Sequence, residues 1–173
     1  VSGAATSPAQ QEMDRVAQIM RTNGSSQRDI ESGQRYLHTF FDVVTGRQPW
    51  SALQAAIPGV ASEAWASYVP RPQSERDVGW APAPADLDPL PLLRRIKAPI
   101  LTIHGAEDAD VPAGANASLY SAVSLHPGSR QRIFDRADHY MLLGIADPDR
   151  QYRRLDTAYL QFTVDWMREV SRN

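Results

Sequence analysis

Apolar residues at helical spacing dominate the first third of the chain. Met13, Val16, Ala17 and Met20 share one face of a predicted helix from Pro8 to about Thr22. Ser7 followed by Pro8 supplies an N-cap and a proline at the first helical position, and Asn23-Gly24 ends the run. A second helix, about Gln27 to Thr45, carries Ile30, Leu37, Phe40, Phe41 and Val44 and stops at Gly46. Shorter helical pieces are predicted near Trp50 to Ile57 and near Ser62 to Tyr68. The pattern then breaks. From Pro70 to Pro91 there are six prolines, two of them in Ala-Pro-Ala-Pro, and they bar both helix interiors and central strands.

Past the prolines a short helix, Leu90 to Ile96, leads into a strand from Ile100 to His104. The unbroken apolarity of that strand fits one covered on both faces, as in a parallel sheet. A crossover helix from Pro112 to Leu125, a second strand from Ser129 to Phe134 and a long final helix from Asp149 to about Arg172 follow. Tyr152, Leu155, Tyr159, Phe162 and Trp166 recur at spacings of three and four, so the final helix has a docking face. The chain reads as α/β, with a helical region over 1–69, a proline-rich connector over 70–91 and an α/β segment over 92–173. Strand, helix, strand, helix implies a right-handed parallel unit, and ligands of such sheets bind beyond the carboxyl ends of the strands.

Composition narrows the classes. At 173 residues one domain is expected, large enough to bury about 70% of its unfolded surface. Net charge is -2 and the basic residues are scattered, which argues against a nucleic-acid groove. With no cysteine there is no disulfide framework and no thiolate metal site, and a cytoplasmic setting is favoured without being fixed. No apolar stretch approaches the roughly 18 residues of a membrane span, and no signal-peptide pattern is present. The start at Val1 rather than Met reads as processed or truncated.

The candidate chemistry sits just past the two strands. Gly105 and a knot of carboxylates follow the first, and a polar loop carrying His139 follows the second. A carboxylate and a histidine on one rim are two parts of a Ser-His-Asp machine, in which Asp108 would orient His139 and His139 would act as general base. Asp110 competes with Asp108 for the acid role. Asp108 also reads as a turn residue capping the next helix. A metal site from Glu107, Asp108 and Asp110 lacks the spaced carbonyl and Glu ligands of a calcium loop. His139 read alone is a surface loop histidine. His104 is expected to be buried and hydrogen-bonded, His38 is mid-helix, and His126 lies at a helix end where a cation suits the dipole.

Phe40, Phe41, Trp50, Trp65, Tyr68 and Trp80 fit a core better than an acyl pocket, taken one at a time. Ser25, Ser26 and Ser129 fit caps and turns. No Gly-x-Ser-x-Gly turn stands anywhere in the sequence to present a nucleophile.

These residues carry a resemblance. Asp88-Pro89-Leu90-Pro91 through Ile96-Lys97-Ala98-Pro99, then Gly105, Asp108, Val111 and Pro112 in the spacing G-x-x-D-x-x-V-P, then Ala137-Asp138-His139, together resemble the C-terminal half of the α/β-hydrolase superfamily. The opening VSGAATSPAQQE is similar to the strand end that leads into the cap of its serine-aminopeptidase-like and esterase-like members. The resemblance spans nearly the whole chain and is strongest from Asp88 to Met141. It implies a helical cap followed by strand-helix-strand-helix with parallel strands, and a serine hydrolase that needs no cofactor and cleaves an ester, amide or related acyl bond. Asp108 and His139 would be its triad acid and histidine.

In that family the nucleophile elbow and oxyanion donors lie upstream of where this sequence starts, so the chain alone is expected to be silent. The expected partners are a small acyl substrate and either the chain's own N-terminal half or a second copy. A non-catalytic subunit or interaction domain derived from the fold is the alternative. An unpaired edge on a two-stranded sheet invites such pairing.

Overall fold

The computed structural model describes residues 4–79, 84–143 and 154–172. The chain is mixed α/β and divides into two compact units, one of Ser7–Leu87 and one of Asp88–Asn173 with Val1–Thr6.

The first unit is helical. Helix α1 (Pro8–Thr22) is capped by the Ser7 hydroxyl, which accepts from the Gln10 N–H, and α2 (Gln27–Val44) is capped in the same way by Ser26 on Asp29. Gly24 and Gly46, both at positive φ, close the two helices. Met13, Val16, Ala17 and Met20 pack against Leu37, Phe40 and Phe41, with Leu53, Trp65, Val69 and Val78 completing the core. Helix α3 (Trp50–Val60) runs three residues past its expected end and keeps Pro58 in its last turn. Only Ala66–Tyr68 of the predicted Ser62–Tyr68 piece is helical, as a single 3-10 turn. A second 3-10 turn, Glu75–Val78, sits in the proline-rich stretch under a Ser74–Asp77 capping box. Of the expected aromatic core, Phe40, Phe41 and Trp65 are buried and Trp50 and Tyr68 half-buried, while Trp80 lies outside the described residues.

The second unit carries the sheet. Helix α4 spans only Leu90–Leu93. Strand β1 (Leu101–Gly105) pairs in parallel with β2 (Arg130–Phe134), in a register running from Leu101 opposite Arg130 to Gly105 opposite Phe134. Between them, α5 (Ala113–Val123) lays Ala113, Asn116, Ala117 and Val123 inward, and these small residues let it approach the sheet closely. On the opposite face, Leu101 and Ile103 pack with Phe134, Ala137 and Met141 and with Tyr159 and Phe162 of α6 (Thr157–Val170). Phe134 meets both α6 rings edge-on, and the Arg132 guanidinium lies 4.7 Å from the Phe134 centroid.

Helix α6 starts later than the spacing predicts. Asp156 caps it by accepting from the Ala158 N–H, and Leu155 instead bridges Leu142. Tyr152 and the rest of 149–153 lie outside the described residues. Trp166 is tied down by its indole N–H, which donates to the Gly128 carbonyl at 2.8 Å. Among the described residues no helix is long and apolar enough to cross a membrane.

Candidate active site

β1 runs straight into the acid loop. Asp108, 1% exposed, is a buried carboxylate, and burial demands that both its oxygens be satisfied. Oδ1 accepts from the backbone N–H groups of Asp110 and Val111 at 2.9 and 2.8 Å. Oδ2 lies 3.0 Å from Nδ1 of His139. The two readings of Asp108 therefore coexist in one side chain: one oxygen closes the turn into α5, and the other meets the histidine. Asp110 is exposed, and it is Asp108 whose oxygen meets His139.

β2 delivers His139 through a short, heavily hydrogen-bonded loop. Arg136 and Met141, at φ 62° and 59°, are non-glycine residues in the left-handed region, and they bracket the histidine. Met141 is 2% exposed and belongs to the core beneath the sheet, so burial of its side chain offsets the backbone strain. The loop is then closed from behind: Leu143 N–H donates to the Arg154 carbonyl and Asp156 N–H to the Met141 carbonyl.

The acid loop and the histidine loop are stapled to each other by backbone. Ala106 N–H donates to the Phe134 carbonyl and Glu107 N–H to the Ala137 carbonyl, each at 2.9 Å. Gly105 makes this approach possible. A Cβ there would stand 2.2 Å from the Ala137 carbonyl oxygen and 2.4 Å from that of Asp138, closer than any side chain can come. The sequence marks Gly105 as a turn residue after a strand; its contact with the other loop has no signature along the chain.

With Nδ1 committed to Asp108, the other ring nitrogen of His139 is the one available for chemistry. The side chain is 23% exposed and its ring meets Tyr140 edge-on at 5.2 Å. A buried carboxylate on Nδ1 orients the imidazole ring, which is the part an acid plays beside a general base. Donor atoms of Asp108, Asp110 and His139 also lie within 4.8 Å of one another. Yet Asp108 already accepts three N–H groups, so a cation there would have to displace His139.

His104 corrects an expectation. It is buried, at 1% exposure, but neither ring nitrogen has a hydrogen-bond partner among the described residues. It points from β1 toward α5, where its ring lies 5.9 Å from that of Tyr120 between centroids. Burial holds its pKa below the ordinary 6.5, against the opposing pull of the Asp108 charge. Of the other histidines, His38 is exposed, and the His126 Nδ1 accepts from the Gly128 N–H. Ser26 and Ser129 serve as cap and turn residues, with the Ser129 hydroxyl accepting from the Ile100 N–H.

The helical unit holds a separate, largely apolar cavity of about 400 Å3 among Pro8, Phe40, Phe41, Tyr68 and Val69. Glu12 and Arg15, in a two-bonded ion pair, sit on its wall. Comparison with protein-family models, curated proteins and solved structures finds no match for this chain.

Proposed function

We propose that this chain is the cap and C-terminal portion of a serine hydrolase of the α/β-hydrolase fold. The complete enzyme cleaves an ester, amide or related acyl bond through an acyl-enzyme intermediate. A serine from an upstream segment attacks the carbonyl carbon. His139 takes its proton at Nε2 and later returns it to the leaving group, and Asp108 orients the ring and stabilises its charged form. Backbone N–H groups beside the serine hold the oxyanion. The helical unit serves as the cap, and its substrate is a small acyl compound.

The observation that carries this reading is the 3.0 Å contact between Asp108 Oδ2 and His139 Nδ1. A buried carboxylate and a largely buried histidine, each one loop past adjacent parallel strands, are hard to account for as surface residues. Support also comes from the chain order, acid before histidine, and from the G-x-x-D-x-x-V-P spacing that places the acid.

The test is turnover of short acyl esters by the protein expressed together with its upstream coding sequence. Asp108→Asn is expected to lower kcat about 10⁴-fold, and His139→Ala by up to about 10⁶-fold. The 173-residue chain alone is expected to be inactive. Full turnover by His139→Ala would sink the proposal.

A second reading, a non-catalytic subunit or interaction domain, draws on the outer face of α6. Leu160, Val164 and Met167 form an exposed apolar stripe there, of the kind that marks an interaction surface. On this reading the histidine variant leaves every function of the assembly intact.

A further inference from the structure

We infer that Asp138 is the positioning residue that holds His139 on Asp108. The inference rests on the reading of His139 as the catalytic base, but its own support is the geometry of the loop. One oxygen of Asp138, Oδ1, accepts both the Tyr140 and the Leu142 backbone N–H groups at 2.9 Å. The backbone of Asp138 closes the same turn twice more: its N–H donates to the Leu142 carbonyl, and its carbonyl accepts from Met141 N–H. His139 is the residue inside this knot.

The strain at Met141 shows why a hub is needed. A methionine at φ 59° returns to the commoner right-handed or extended regions unless its surroundings forbid it. The N–H groups on either side of Met141's own are those that Asp138 Oδ1 gathers. Without that acceptor the turn loses two of the bonds that hold it. His139 then loses its fixed direction, although Asp108 stays in place on its own two N–H donors. The acid is thus positioned by its own loop and the base by Asp138, and their 3.0 Å separation depends on both. Asp138 acts through the histidine.

What matters on this account is an acceptor oxygen at Oδ1, not the charge. An asparagine supplies the same oxygen and an alanine supplies none, so the two substitutions separate positioning from electrostatics. The experiment is proton NMR of the 173-residue chain labelled with ¹⁵N-histidine. A hydrogen-bonded Nδ1–H resonance, shifted downfield and lost in Asp108→Asn, reports the pair directly. It is expected in the wild type and in Asp138→Asn, and absent in Asp138→Ala.

Persistence of the resonance in Asp138→Ala overturns the inference and leaves the proposed function standing. Its absence from the wild type overturns the pair, and with it both readings. Should Asp138→Ala fail to fold, amide exchange decides: protected Tyr140 and Leu142 amides in both the wild type and Asp138→Asn support the hub, and rapid exchange at both in the folded wild type refutes it. In the complete enzyme Asp138→Ala is expected to lower kcat about 10²-fold with KM unchanged, as suits a displaced base. Asp138→Asn is expected to restore kcat.

Discussion

Single atoms decide the site. The methyl group of Gly105→Ala would enter the space of two carbonyl oxygens on the histidine loop, so that loop must retreat from the acid loop. The expected cost is about 1–3 kcal/mol, in the range of overpacked cores, read as a lower urea midpoint at unchanged slope. His104 makes the opposite case, since its two orphaned nitrogens are a standing penalty in the folded chain. Its pKa is depressed on folding, so below 6.5 the unfolded chain takes up the proton first. Stability is therefore present above that pH and falls as the pH drops toward the folded value, by at most about 1.4 kcal/mol per unit. His104→Phe fills the same place beside Tyr120 without polar atoms. It is expected to raise stability at neutral pH by about 1–2 kcal/mol and to flatten the acid limb of the stability profile. Urea melts of both proteins between pH 5 and about 8 check this.

Elements were legible in the sequence where local pattern and packing agree. Ser7-Pro8, Ser26, Gly24 and Gly46 punctuate α1 and α2, and the structure uses each as the spacing requires. The strands and the loops after them were legible for the same reason, and their order put Asp108 and His139 on one rim. What could not be read is contact between segments far apart in sequence. Gly105 against Ala137 and the isolation of His104 are decided by what lies across the sheet. Helix α6 was misplaced at its start because Leu155 keeps the apolar spacing while its backbone bridges Leu142.

The same helix presents two apolar stripes, of which one is covered among the described residues. Tyr159 and Phe162 pack on Phe134, while Leu160, Val164 and Met167 face solvent. Phe162→Ala is expected to cost about 1–3 kcal/mol, less than the roughly 3–5 of a fully buried phenylalanine. Val164→Glu, on the other stripe, is expected to change the stability of the chain by less than about 0.5 kcal/mol. Thermal melts of the two variants separate the faces. Equal losses would mean that the second stripe is covered too.

At the scale of the molecule, the chain joins a helical unit with its own core to an α/β unit that holds Asp108 and His139. Neither unit offers a nucleophile in an elbow, because the sequence has no Gly-x-Ser-x-Gly. The proposed chemistry is thus divided along the polypeptide, with the attacking serine in one segment and the groups that activate it in this one. Such a division makes a sharp demand, since the reactivity of a distant serine must depend on two residues of this chain. The most direct test is covalent labelling of the protein expressed with its upstream sequence by a fluorophosphonate, which reacts with an activated serine. The account predicts one labelled serine, outside these 173 residues, with labelling lost in His139→Ala and strongly slowed in Asp108→Asn. Labelling that proceeds unchanged in both variants would contradict it.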